Sequence, residues 1–79
     1  MNITALHRQI ARVIGENRGG RTLPEIARLL GHRNHTVALS VHDLTTHSLI
    51  TQPARNPGQL LLTRKGRRWY NSGTRGDAV

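Results

Sequence analysis

The 79-residue sequence predicts an α+β domain that is mostly helical: three helices, a β-hairpin and a short C-terminal helix. Three observations predict it. Apolar residues recur at helical spacing through three successive stretches between Ile3 and Leu44. From Leu49 to Thr63 the pattern changes to strand, Asn-Pro-Gly turn, strand. The chain is also too short for more than one small domain, and it has no cysteine to staple a looser one.

The first stretch is "NITALHRQIARVIGENRGG". Ile3, Leu6, Ile10, Val13 and Ile14 form its apolar stripe, with Asn2 or Thr4 as the cap and Asn17, Gly19 and Gly20 as the stop. His7, Arg8, Arg12 and Glu16 are expected mostly off the stripe. The second stretch is "RTLPEIARLLG". Thr22 and Glu25 have capping-box spacing, and Pro24 sits in the first turn, where its missing N–H costs nothing. Leu23, Ile26, Ala27 and Leu30 supply the buried face, and Gly31 closes the helix. So short a helix must pack on its neighbours to persist.

A third helix is predicted from Asn34, as its N-cap, to about His47. Val37, Val41 and Leu44 cluster on one side of it at 100° per residue. His35, Thr36, Leu39, His42 and Asp43 fall on the other. "LITQPAR", "NPG" and "QLLLT" then read as strand, turn and strand, with Asn56, Pro57 and Gly58 as turn residues and Arg55 at the tip. Thr63 is placed to cap a short helix in "RKGRRWYN", which Gly66 weakens. The domain spans residues 1–70. Residues 71–79 are expected to be a disordered tail, since "SGTRGDAV" has no apolar anchor. Two helices joined by a tight Gly-containing turn make a helix-turn-helix, and the basic hairpin after it makes a wing.

Composition narrows the function. Twelve Lys and Arg against four Asp and Glu give a formal net charge of +8. That excess favours a polyanionic partner, nucleic acid above all. Eleven of the twelve are Arg, a preference that suits bidentate phosphate and guanine contacts and that a GC-rich genome would also produce. No apolar run reaches membrane-spanning length and no signal peptide is visible. The expected location is therefore the cytoplasm, on the nucleoid if the source is bacterial, with no membrane partner. The carboxylates are scattered and no nucleophile motif is present, so the chain is not read as an enzyme. With no cysteine and only Asp43 beside His32, His35 and His42, a metal site is not expected either, and neither is a cofactor.

Three stretches resemble winged helix-turn-helix transcription regulators. "TLPEIARLLG" is similar to the first helix of the motif, with its capped start, Glu, Ile, Ala and closing Gly. "TVALSVHDLTTHSLI" is similar to the recognition helix and its Leu-Ile exit. "LLLTRKGRRW" resembles the end of the wing, where regulators of the multiple-antibiotic-resistance and phenolic-acid types carry a Leu-Thr-x-x-Gly phrase. The likeness covers roughly residues 3 to 70, and the order and spacing of the motifs are its specific part. The size and the "NRGGRT" stretch also resemble short fimbrial, phage and plasmid regulators. Winged helices that bind Z-form nucleic acid fit poorly. Ala38 and His42 stand where they carry Asn and Tyr, and the wing has no Trp.

The resemblance implies a homodimer that binds double-stranded DNA at a pseudo-palindromic site. The third helix would enter the major groove and the wing the adjacent minor groove or backbone. Two departures matter. Ser48 replaces a frequent Gly, which suggests a less tight helix exit. The long dimerisation helices of larger regulators are absent from these 79 residues, leaving hardly any room for a small-molecule effector. A winged helix used for protein–protein assembly, with incidental RNA affinity, is the competing reading.

Arg33, Asn34, His35 and Thr36 stand at the end of the third helix that would meet base edges. Arg pairs with guanine and Asn with adenine, though Asn34 has the competing role of N-cap. Leu39 faces a thymine methyl, the wing or a dimer contact, and His42 shares its face. Arg21 and Thr22, at the start of the second helix, are read as phosphate contacts. Arg55 and Asn56 belong to the wing tip. Arg64 and Lys65 open the densest basic run, which is either a phosphate contact or a solvated face. Trp69 and Tyr70 are expected to pack on the first helix or on a second subunit.

Overall fold

A computed structural model describes the backbone of residues 3–56 and 58–77 and the side chains as far as Ser72, Pro57 excepted. Its elements are α1 (Ala5–Gly15), β1 (Arg21–Thr22), α2 (Leu23–Leu30), α3 (Asn34–Thr46), β2 (Ile50–Thr51), β3 (Gln59–Leu62) and α4 (Arg64–Asp77). The strands form one antiparallel sheet in the order β1-β3-β2. Arg21 pairs with Leu60, and Ile50 pairs with Leu62. The hairpin of β2 and β3 is the wing.

The core lies where three helices meet this sheet. Ile10, Val13 and Ile14 of α1 pack with Ile26 and Ala27 of α2 and with Val37, Val41 and Leu44 of α3. Leu49, Ile50 and Leu60 close it from the wing side, and Trp69 of α4 leans on its edge. With no Phe to add bulk, these aliphatic side chains carry the stability, at roughly 1.5–3 kcal/mol for each one fully buried.

Local chemistry sets most of the boundaries. Thr4 caps α1, and in the matching half of the box His7 stands in for the usual Glu or Gln. Thr22 and Glu25 form the expected box at α2, and Gly31 ends that helix in the left-handed conformation. Thr63 Oγ1 accepts the Gly66 N–H and so caps α4. Gly66 is more than a weak helix former. A Cβ there would run into the Leu49 carbonyl, so the close approach of α4 to the α3–β2 junction needs glycine.

Four expectations change. His7 is not off the stripe; it is 4 % exposed, because its ring fills the gap between α1 and α3. The first helix stops at Gly15, with Glu16 as its C-cap; Asn17 instead closes a turn by donating to the Gly20 carbonyl. Asn34 is not the N-cap of α3 but its first helical residue, because Arg33 takes the extended cap position. The first wing strand is only Ile50–Thr51 rather than the whole of "LITQPAR", since Pro53 lacks an N–H and a turn follows it, with Asn56 N–H bonded to the Pro53 carbonyl. Strand β1 had no forecast: two residues carry no periodicity. As to the expected tail, the backbone of α4 continues past Asn71 to Asp77, and residues 78 and 79 lie outside the described part.

Candidate nucleic-acid interface

Helix α3 turns Val37, Ser40, Val41 and Leu44 inward. At 100° per residue the direction opposite that set is occupied by His35, Leu39, His42 and Thr46. All four are exposed, and Leu39 is 58 % so. Asn34 and Thr36 flank this face, and Arg33 stands just before it; all three are exposed. The helix thus presents a polar surface with one apolar side chain at its centre.

The start of α3 differs from the starts of the other helices. Arg33 makes no side-chain cap, whereas Thr4, Thr22 and Thr63 cap the other three; as in α1 and α4, the first turn contains no acidic residue. The first-turn N–H groups of Asn34, His35 and Thr36 lack intrahelical partners, no side-chain cap takes their place, and the exposed Arg33 immediately precedes them. Their partial positive charge favours an anion or a base acceptor.

The start of α2 is built the opposite way. Glu25 Oε1 accepts the Thr22 N–H at 3.0 Å and the Thr22 hydroxyl at 3.1 Å. These bonds hold the Glu25 carboxyl below its ordinary pKa, with help from the nearby Arg21 and Arg28. Arg21 itself donates from Nε to the Val13 carbonyl at 2.7 Å, and its Nη1 lies 3.9 Å from Glu25 Oε2. A carboxylate already sits where a phosphate was expected, and Arg21 is engaged in tying β1 to α1. The structure gives Arg21 and Thr22 structural tasks that the sequence reading did not separate from DNA contact.

The remaining candidates fall into two groups. Arg55 and Asn56 are exposed on the loop between β2 and β3. Arg64 and Lys65 are exposed at the start of α4, which is anchored at the opposite end of α3: the Thr63 N–H and hydroxyl donate to the carbonyls of Leu49 and Ser48. Asn34 is about 20 Å away along the helix, at 1.5 Å per residue. Arg64 and Lys65 therefore do not join the cluster around Arg33–Thr36. Trp69 packs on the core, and Arg8 of α1 lies over the Tyr70 ring at 5.1 Å, which joins α4 to α1.

The histidines have separate surroundings. His7 Nδ1 accepts the Thr4 N–H at 3.0 Å, so the proton of the neutral ring belongs on Nε2, 3.3 Å from Asp43 Oδ2. This pair braces α3 against α1, and sequence reading missed it; His7 at the third helical position after Thr4 was the available signal. His47 Nδ1 lies 2.9 Å from the Asp43 carbonyl oxygen. His35 and His42 are on the outer face and His32 is in the turn. Among the described residues, no three His, Asp or Glu side chains form a metal-holding group.

No protein-family model matches the chain, and no curated protein matches it in sequence. Solved structures do. A variant of MepR from S. aureus superposes with a TM-score of 0.78 at 22% identity, over 91% of this chain and 56% of that one. The transcriptional regulator SlyA gives 0.70 at 22% identity, over 94% of this chain and 54% of that one. The chain spans a little over half the length of each. At this identity the likeness speaks to architecture, and the architecture is that of a winged helix-turn-helix domain.

Proposed function

We propose that the protein is a transcription regulator, not an enzyme, that binds double-stranded DNA in a sequence-specific manner. The observation that carries this reading is the first turn of α3: exposed, uncapped, free of carboxylates and next to Arg33. Such a turn suits entry into the major groove, where Asn34, His35, Thr36, Leu39 and His42 meet base edges. The wing follows the adjacent minor groove or backbone with Arg55 and Asn56. The solved structures that share the fold, one of them titled a transcriptional regulator, support the same reading. So does the net charge of +8. We further propose a homodimer acting in the cytoplasm; no helix among the described residues is long and apolar enough to cross a membrane.

Selection of bound sequences from a random duplex pool tests the proposal. Enrichment of two inverted half-sites about one helical turn apart, 10–10.5 base pairs between centres, supports a sequence-reading dimer. A bound pool as random as the input sinks the sequence-reading claim and favours an assembly module.

A further inference from the structure

Helix α4 carries four of its five cations at the wrong end. Arg64, Lys65, Arg67 and Arg68 occupy its first turn and a half, with no acidic residue in that turn. The N-terminal end of a helix is already positive, so each cation there is unfavourable. Arg64 and Arg68 are also four apart and Arg64 and Arg67 three apart, the spacings at which like charges repel. No carboxylate occurs from Arg64 to Ser72 to relieve them. Among the described residues, Arg12, Arg64, Arg67 and Arg68 make no ion pair.

Packing turns this charge to the outside. Gly66 and Trp69 turn toward the core, which sends Arg64, Arg67 and Arg68 outward. Arg67 lines a cleft between α4 and α1 together with Arg12, Tyr70 and Asn71; Glu16 is the one carboxylate in it. Helix α1 packs against both α3 and α4, and α4 begins beside the end of α3 opposite Asn34, where Thr63 bonds to Ser48 and Leu49. The start of α4 thus lies about 20 Å from Asn34 along α3, at 1.5 Å per residue.

We infer that the α1–α4 surface around Arg12, Arg67 and Arg68 is a second, sequence-indifferent site for duplex DNA, so that one molecule joins two DNA segments. The inference rests on the DNA-binding reading of α3 and extends it. The charge chemistry supports a polyanion here. A second copy of the chain seated two-fold on this face would bring like cations together with only Glu16 to offset them. A phosphate backbone is matched by guanidinium groups without base contacts.

The test uses a long mixed-sequence duplex fixed on beads and a short labelled mixed-sequence duplex in solution. Anisotropy of the labelled duplex alone first establishes binding; if the wild-type chain fails to bind it at low salt, the DNA-binding reading itself fails. If it binds, wild-type protein is expected to retain labelled duplex on the beads. The triple variant Arg12→Gln, Arg67→Gln, Arg68→Gln, with wild-type helicity, should retain roughly tenfold less. Sedimentation should show its oligomeric state unchanged. Retention equal to wild type overturns the inference. So does loss of retention together with loss of dimer, which would make this face a contact between copies. A wild-type chain that binds the labelled duplex but never bridges it to the beads overturns the inference and leaves the reading of α3 standing.

Discussion

Ser48 shows how much one residue can hide. It stands at the exit of α3 with φ of 61°, the left-handed region that glycine occupies freely. The sequence, with Ser in place of a frequent Gly, suggested a slacker exit; the structure keeps the tight turn and accepts the strain. Ser48→Gly is therefore expected to raise stability by up to about 1 kcal/mol, as relief of the left-handed strain outweighs the added freedom of the unfolded chain. A urea midpoint that falls in this variant would refute the strain argument. Base readers and backbone contacts should separate in the same residue-by-residue way. Replacing His35 or Thr36 by Ala should lower the preference for the selected site over random duplex by about 1–3 kcal/mol wherever a good base contact is lost. Arg55→Ala should weaken both duplexes by similar factors. Competition titrations with the two duplexes check both; an unchanged ratio in both α3 variants, still folded, means that another surface reads the sequence.

Among the elements, helices with repeated apolar spacing were legible in advance. Val37, Val41 and Leu44 are buried as their spacing predicts, and the Thr22–Glu25 box forms as its spacing predicts. Sequence reading failed where a contact joins distant residues. His7 reaches Asp43 across 36 positions, and β1 exists only because Arg21 and Thr22 pair with β3. It also failed at Asn34, where a good capping residue sits one place inside the helix it was expected to cap. The outer face of α3 could be listed from its period, but the contrast between its open start and the occupied start of α2 depends on bonds that spacing alone cannot show.

The α2 start makes a prediction about pH. Glu25 titrates below its ordinary value because its carboxylate accepts bonds from Thr22. A group whose folded pKa is depressed stabilises fully above the unfolded value and loses that contribution as pH falls through the folded one. Acid below the usual glutamate range should thus lower the urea midpoint of the wild-type chain, and Glu25→Gln should remove this part of the pH dependence. Equal acid sensitivity in both proteins would show that the box contributes nothing. At α3, Val41→Asp should abolish the cooperative unfolding transition, since Val41 is 6 % exposed and no cation of the core would meet the new charge. A sharp urea transition in that variant would contradict the assigned core.

For the whole molecule, a small aliphatic core carries a surface with eight more cations than anions. This arrangement is costly for the folded chain alone and favourable beside a polyanion. Its central claim, that the domain works on duplex DNA, is tested most directly by measuring the duplex Kd across a range of salt concentrations. If guanidinium groups replace counterions on the phosphates, log affinity should fall linearly with log salt, with a slope of about −0.9 for each phosphate contacted and several contacts in all. An affinity that stays flat from low to physiological salt would contradict the account.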